Sequence, residues 1–130
     1  MSQFVKSVLF LGLLTLSSTS NGFEPTTHVY VKNALENGAE LLLHCKSRDN
    51  DLGLQHLHHN ESYEFSFKVN FFGTTQFYCS FQWGNNFHWF DIYIASRDDR
   101  CKRCSWTVKQ NGPCFSLPER TAEQCFPWNK

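Results

Sequence analysis

The sequence predicts a small all-β protein, a disulfide-stabilised antiparallel β-sandwich with about seven to eight strands. Apolar and polar residues alternate with a period of two in several segments, which is typical of strands with one buried face. Turn-forming residues separate these segments at short intervals, a spacing typical of sandwiches. Six cysteines follow an apolar N-terminal segment, which indicates disulfide bonds formed during export.

Residues 1–22 have the composition of a secretory signal peptide. Lys6 precedes an apolar run at residues 8–16 that is too short to span a bilayer, and residues 20–22 (SNG) resemble a signal-peptidase site. We expect cleavage there. Residues 23–130 then form one secreted, extracellular domain, because a chain of this length is enough for one domain and not two.

The charge balance of residues 23–130 excludes some classes of partner. Once Lys6 is removed, eleven Lys and Arg residues face twelve Asp and Glu residues, a net charge of −1. A nucleic-acid partner is not expected, because it requires a basic surface. Direct membrane insertion is not expected either, since no later segment approaches ~18 consecutive apolar residues. We expect the mature protein to be a monomer.

The alternation places candidate strands in order along the chain. The first surrounds Val29 and Val31. The inward residues of four further strands are Leu41, Leu43 and Cys45, then Tyr63, Phe65, Phe67 and Val69, then Phe77, Cys79, Phe81 and Trp83, and finally Cys104, Trp106 and Val108. Residues 87–95 are apolar on both faces, which predicts a central strand or a strand whose outer face is covered.

The cysteines carry a second interpretation besides disulfides. Cys101 and Cys104 form a C-x-x-C pattern that also occurs in redox motifs and in zinc half-sites. Both of those roles are favoured by a cytosolic setting, whereas the signal peptide predicts an oxidising route. We therefore predict that all six cysteines form structural disulfides.

The remaining polar residues do not indicate a catalytic or metal site. His56 and His58 share a face of an extended segment while His59 points away, and two histidines lack the third or fourth ligand that zinc requires. Asp91 and Glu64 are a conceivable pair of glycosidase carboxylates, but nothing in the sequence indicates that they converge. We predict no enzyme activity, no metal and no cofactor.

Several segments together resemble the plant self-incompatibility protein family, the S-protein homologues. These segments keep their order and spacing over roughly residues 28–115. They are residues 43–47 (LHCKS), 51–53 (DLG), 63–67 (YEFSF), 70–79 (NFFGTTQFYC), 90–93 (FDIY), 101–108 (CKRCSWTV) and 112–114 (GPC). The resemblance implies a secreted, disulfide-bonded β-sandwich. It also implies a ligand, since the founding members are pistil proteins recognised by a receptor on the pollen surface.

We therefore predict an extracellular signalling ligand that a plasma-membrane receptor recognises through polar surface loops. The candidate contact residues are Arg48, Asp49, Asn50 and Asp51, then Asn85 and Asn86, and then Arg97, Asp98, Asp99 and Arg100. Six cysteines allow fifteen pairings, and the one we favour joins Cys45 to Cys114, Cys79 to Cys104 and Cys101 to Cys125.

Two further hypotheses concern carbohydrate. Trp83, Trp89 and Trp128 are candidate stacking residues for an extracellular module that binds cell-wall polysaccharide, which is the alternative function. Asn60-Glu61-Ser62 is an N-glycosylation sequon, and we expect Asn60 to carry a glycan because it lies among polar residues just before a strand.

Overall fold

The computed structural model describes residues 25–117 and 122–129, so the predicted signal peptide lies outside the described residues. Within these two ranges the fold consists of nine strands, a 3-10 turn at Glu36–Gly38 and a one-turn helix α1 at Ala95–Asp98. The strands are β1 Thr27–Asn33, β2 Leu41–Lys46, β3 Asp51–Leu57, β4 Ser62–Phe67, β5 Gln76–Trp83, β6 Asn86–Ile94, β7 Arg103–Lys109, β8 Gly112–Ser116 and β9 Gln124–Cys125. In the described part of the chain, no helix has the length and apolar character needed to cross a membrane.

The strands form two sheets, which confirms the predicted all-β class. One sheet has the order β4-β1-β7-β8-β9 and the other the order β3-β2-β5-β6. Two details differ from the prediction. The pair β1–β7 is parallel, while the other pairs are antiparallel. The strands number nine among the described residues, because β3 begins at Asp51, which we predicted to lie in a contact loop, and a two-residue β9 adds to the edge of β8.

The inward faces of the two sheets meet in one core. Val29, Leu43, Phe81 and Trp106 are all essentially inaccessible to solvent, as the alternation predicts. The Trp106 ring lies within 6 Å of the rings of three phenylalanines, Phe90, Phe115 and Phe126. Aromatic contacts of this kind add to the free energy of burying apolar surface, and they hold the two sheets together.

Strand β6 is an edge strand and not a central one. The register shifts between Phe77 and Tyr78, and the extra residue that this places on β6 turns Tyr93 into the core beside Ile92. The C-terminal segment then covers the free edge, because the Asn129 N–H donates to the Trp89 carbonyl and the Asn129 side-chain oxygen accepts from the N–H of Asp91. This cover protects an edge that would otherwise pair with another chain.

All six cysteines are disulfide-bonded, but the pairing we favoured is wrong. The bonds join Cys45 to Cys79, Cys101 to Cys104 and Cys114 to Cys125. The favoured Cys45–Cys114 bond would have connected the two sheets. Two of the bonds join residues that lie opposite each other on paired strands, Cys45 with Cys79 and Cys114 with Cys125, whose Cα atoms are 4.0 Å and 3.9 Å apart and so within reach of a disulfide. The C-x-x-C cysteines are bonded to each other and buried, as expected for a structural bond.

Candidate recognition surface

The loops divide between the two ends of the sandwich. The strand registers place residues 47–50, 68–75 and 95–102 at one end, which we call the Phe71 end. Residues 34–40, 58–61, 84–85 and 110–111 lie at the opposite end, which we call the Asn60 end. Of the predicted contact loops, those at Arg48 and Arg97 therefore share the Phe71 end, whereas Asn85 and Asn86 lie at the Asn60 end.

Arg97 and Asp98 are structural residues, which corrects their prediction as contacts. The Arg97 guanidinium forms two hydrogen bonds of 2.7 Å with the Asp98 carboxylate and donates to the Asp91 carbonyl at 2.8 Å. It also lies 5.2–5.6 Å from the ring centres of Phe90, Trp106 and Phe126. Only 6% of the Asp98 side chain is exposed. Charged groups that are largely removed from water need hydrogen-bonded partners of this kind. Arg97 and Asp98 therefore stabilise the fold and are not contact residues. Asp99 and Arg100 remain exposed.

Asp51 has a local partner that affects its charge. It is the first residue of β3, and its Oδ1 lies 2.6 Å from His44 Nε2 and accepts the Gly53 N–H. The hydrogen bond with His44, followed by the one from Gly53, lowers the pKa of the Asp51 carboxyl below its ordinary value. Arg48, Asp49 and Asn50 form the exposed turn beside it, which the Ser47 hydroxyl holds by accepting the Asn50 N–H.

A pair of exposed aromatic residues dominates the Phe71 end, and the sequence reasoning missed it. Phe71 and Phe72 are 93% and 82% exposed, and their rings contact each other edge to face with their centres 5.3 Å apart. Asn70 holds the loop in place through side-chain hydrogen bonds with Thr74 and a backbone N–H donated to the Thr75 hydroxyl. The sequence does contain a signal for this exposed pair, namely two consecutive aromatic residues directly before the turn sequence Gly73-Thr74-Thr75. Neighbouring residues at an exposed turn cannot both point into the core.

A groove of about 560 Å³ lies between the Arg48 turn and the Phe71 loop. Its walls combine charged or amide side chains with aromatic ones, among them Arg48, Asn50, Phe67 and Tyr78. Exposed aromatics next to adaptable polar groups are typical of surfaces that recognise another protein. We take the groove and the Phe71 loop together as the candidate recognition surface.

The three candidate sugar-stacking tryptophans have different environments. Trp83 is in the core, and Trp128 packs on His88 and Phe81 while its indole N–H donates to the Gln110 carbonyl. Only Trp89 lies in an outward aromatic strip, where its ring centre is 5.8 Å from that of Phe87 and 6.0 Å from that of Tyr78. The strip runs along the outer face of β5 and β6.

Asp91 and Glu64, the two carboxylates that we considered and set aside as a glycosidase pair, do not converge. Asp91 lies on the outer face of β6, and Gln76 donates to its carboxylate. Glu64 lies on the outer face of β4 in the other sheet and contacts His28. The two carboxylates are on opposite sides of the sandwich, so they cannot act on one glycosidic bond.

The histidine cluster contains a third donor that the sequence reasoning missed. Glu40 Oε1 lies 2.6 Å from His56 Nε2, and Glu40 Oε2 lies 2.9 Å from His58 Nδ1. These hydrogen bonds, with His56 first, lower the pKa of the Glu40 carboxyl below its ordinary value. Glu40 lies sixteen residues before His56, and no local pattern connects them. Asn60, close to this cluster in sequence, is exposed with a positive φ of 68°.

The sequence profile described as plant self-incompatibility protein S1 matches residues 28–128. The chain belongs to this family. S-protein homolog 2 of Arabidopsis thaliana is 44% identical over 122 residues, in an alignment that covers 87% of this chain and 76% of that protein. Self-incompatibility protein S1 of Papaver rhoeas is 40% identical over 99 residues, in an alignment that covers 73% of this chain and 71% of that protein. The predicted family is thus confirmed.

A solved structure of the family has the same fold. Its description is of SPH (self-incompatibility protein homologue) proteins, small, highly stable, secreted proteins from plants. It aligns with a TM-score of 0.61 and 23% identity, and the alignment covers 82% of this chain and 97% of that one. The extracellular location predicted from the sequence agrees with the secretion that this description gives for the family.

Proposed function

We propose that this family member is a secreted plant signalling ligand that binds as a monomer to a plasma-membrane receptor through the candidate recognition surface. The observation that carries the proposal is the exposure of Phe71 and Phe72 on a loop that hydrogen bonds hold in place. Contact between apolar surface and water is unfavourable, so covering two almost fully exposed aromatic residues with a partner lowers the free energy. A loop fixed in advance also loses little conformational entropy on binding.

The core supports this role by holding the surface loops rigidly. The two sheets and three disulfides fix the strand ends from which the Arg48 turn and the Phe71 loop project. Residues 1–22 act in this proposal as a cleaved signal peptide, and no catalytic step is required. Arg48, Asp49 and Asn50 provide polar contacts beside the aromatic pair, which favours one orientation of the partner.

Binding of the labelled mature protein to intact plant cells tests the proposal. We expect saturable binding that protease treatment of the cells abolishes. Replacing both aromatics (Phe71→Ser with Phe72→Ser) should weaken binding at least about tenfold, the loss typical of central aromatic contacts. Phe87→Ser is the matched control, because Phe87 is also an exposed phenylalanine, 52% accessible, but lies towards the Asn60 end.

The binding of these variants shows which end of the sandwich contacts the receptor. If Phe87→Ser weakens binding and the double variant does not, the contact is near Asn85 and Asn86, and the Phe71 end is the wrong surface. If no tissue gives saturable, protease-sensitive binding, the receptor proposal itself fails.

The aromatic strip around Trp89 favours a second candidate function, binding to cell-wall polysaccharide. The strip lies next to the polar groups of Asp91 and Asn129, and aromatic faces beside hydrogen-bonding groups can bind sugar rings. On this hypothesis the protein is retained on wall polysaccharide, and Trp89→Ala abolishes retention while the Phe71 and Phe72 substitutions do not.

A further inference from the structure

Glu40, His56 and His58 form a three-donor cluster on the outer face of the second sheet. His56 is on β3 and His58 is the first residue after it, and their spacing of two residues in extended chain points both side chains to the same side. Leu41, the first residue of β2, pairs with Leu57, the last residue of β3, and this places Glu40, just before β2, opposite His58. Leu41 and Leu57 are buried, which directs Glu40 and both histidines outward. The three donor atoms all lie within 4.8 Å of one another.

The backbone that carries these donors is held by a buried side chain. Asn33 is inaccessible to solvent, and its amide group donates to the carbonyls of Ala39 at 2.9 Å and Leu57 at 3.0 Å. Ala39 immediately precedes Glu40, and Leu57 lies between the two histidines. Asn33 therefore fixes the spacing of the two backbone segments that present the donors.

The turn that follows is also closed by hydrogen bonds. The His58 N–H donates to the Glu61 carboxylate at 2.8 Å, and the Glu61 N–H donates to the His58 carbonyl at 3.0 Å. The Asn60 N–H donates to the Asn33 carbonyl, which connects the turn to the same buried residue. The position of His58 is therefore set by the fold, although its ring is exposed.

We propose that Glu40, His56 and His58 bind a divalent transition-metal ion, for which zinc is the probe of choice. Two imidazole nitrogens and one carboxylate are a donor set that zinc uses with a fourth position open. Nitrogen donors favour Zn²⁺ or Cu²⁺ over Mg²⁺ or Ca²⁺, which prefer oxygen. Zinc bonds of about 2.1 Å place two donors roughly 3.3 Å apart, so small side-chain shifts would bring all three donors to coordination distance.

The metal would replace the two hydrogen bonds that now connect the carboxylate to the imidazoles. Its open position faces solvent, where water or a donor from another molecule can enter. The proposal goes beyond the proposed function and does not depend on it, because the cluster lies towards the Asn60 end, away from Phe71.

Calorimetric titration of the oxidised mature protein with Zn²⁺ tests the site. We expect one zinc per chain. Glu40→Gln, His56→Ala and His58→Ala should each weaken binding by about tenfold or more, because each removes one of three ligands. His59→Ala is one matched control, since His59 is the exposed neighbour outside the cluster. His28→Ala is the other, because His28 pairs with a single carboxylate, Glu64, at 2.9 Å.

Imidazole nitrogen NMR identifies the ligand atoms. Zinc should shift Nε2 of His56 and Nδ1 of His58 and leave His59 unchanged. The proposal is overturned if millimolar zinc shifts neither nitrogen, or if His59→Ala or His28→Ala weakens binding as much as the three ligand substitutions do.

Discussion

Cys45 and Cys79 lie directly opposite each other on β2 and β5, with their Cα atoms 4.0 Å apart, and they are disulfide-bonded within one sheet. The bond joins strands that already pair through backbone hydrogen bonds. It closes a sequence separation of 34, the longest of the three disulfides. Its main thermodynamic effect is to restrict the unfolded chain.

Removing this disulfide with Cys45→Ala and Cys79→Ala should lower the free energy of unfolding by about 4 kcal/mol, from the loop-closure entropy. The Cys101–Cys104 bond spans a separation of only 3, so its removal should cost about 2 kcal/mol. Urea unfolding followed by tryptophan fluorescence measures both. Peptide mapping of the unreduced protein checks the pairing, and a Cys45–Cys114 peptide would contradict it.

Arg97→Ala should destabilise the protein by about 2–3 kcal/mol. The substitution removes the partner of the nearly buried Asp98 carboxylate and leaves that charge uncompensated. The Arg97 side chain is 28% exposed, which keeps the effect below that of a fully buried pair. Arg100→Ala, at an exposed position two residues after Asp98, is the control and should change stability by less than about 0.5 kcal/mol. Equal effects of the two substitutions would refute the structural role of Arg97.

Asn33→Ala should cost about 2–4 kcal/mol of folding stability. It deletes the two hydrogen bonds to Ala39 and Leu57 and leaves the buried Leu35 N–H without the side-chain oxygen that now accepts it at 2.9 Å. The measurement is again urea unfolding, with Asn111→Ala at an exposed turn as the control. A loss of less than about 1 kcal/mol would mean that water replaces the amide group.

Asn60 should carry an N-linked glycan when the protein passes through a plant secretory pathway. Treatment with an amidase that removes N-glycans should reduce the mass of the wild type but not that of Ser62→Ala. Asn60→Gln also removes the sequon, but it places a longer side chain at a left-handed φ of 68°. Unglycosylated Asn60→Gln should therefore be about 1 kcal/mol less stable than Ser62→Ala. An identical mass before and after treatment contradicts glycosylation at this site.

The pKa of Asp51 should lie below its ordinary value and return towards it in His44→Ala. Carboxyl-carbon NMR during an acid titration measures this directly. Because the folded-state pKa is the lower one, the His44–Asp51 contact contributes stability above the unfolded-state pKa. That contribution is lost as the pH falls through the folded-state pKa. An unchanged Asp51 titration in the variant would show that His44 is not the cause.

The pattern of residues predicted the strands well and the interactions between strands poorly. The inward positions of Val29, Leu43 and Trp106 followed from local alternation, which needs no knowledge of the partner strand. Tyr93 could not be placed in the same way, because the irregular register between β5 and β6 reverses its direction. Arg97 looked like a solvated loop residue, since its three aromatic neighbours lie on β6, on β7 and in the C-terminal segment and only the tertiary structure brings them together.

The amino-acid sequence by itself determined the all-β class, the buried faces of β1, β2, β4, β5 and β7, and the family. These follow from short-range alternation and from motifs that can be recognised in order. Only the tertiary structure decided which cysteines pair, that Glu40 meets His56 and His58, and that Phe71 and Phe72 lie beside the Arg48 turn. Each of these depends on which strands become neighbours, and that choice is made by the packing of the two sheets around a shared core rather than by any local pattern.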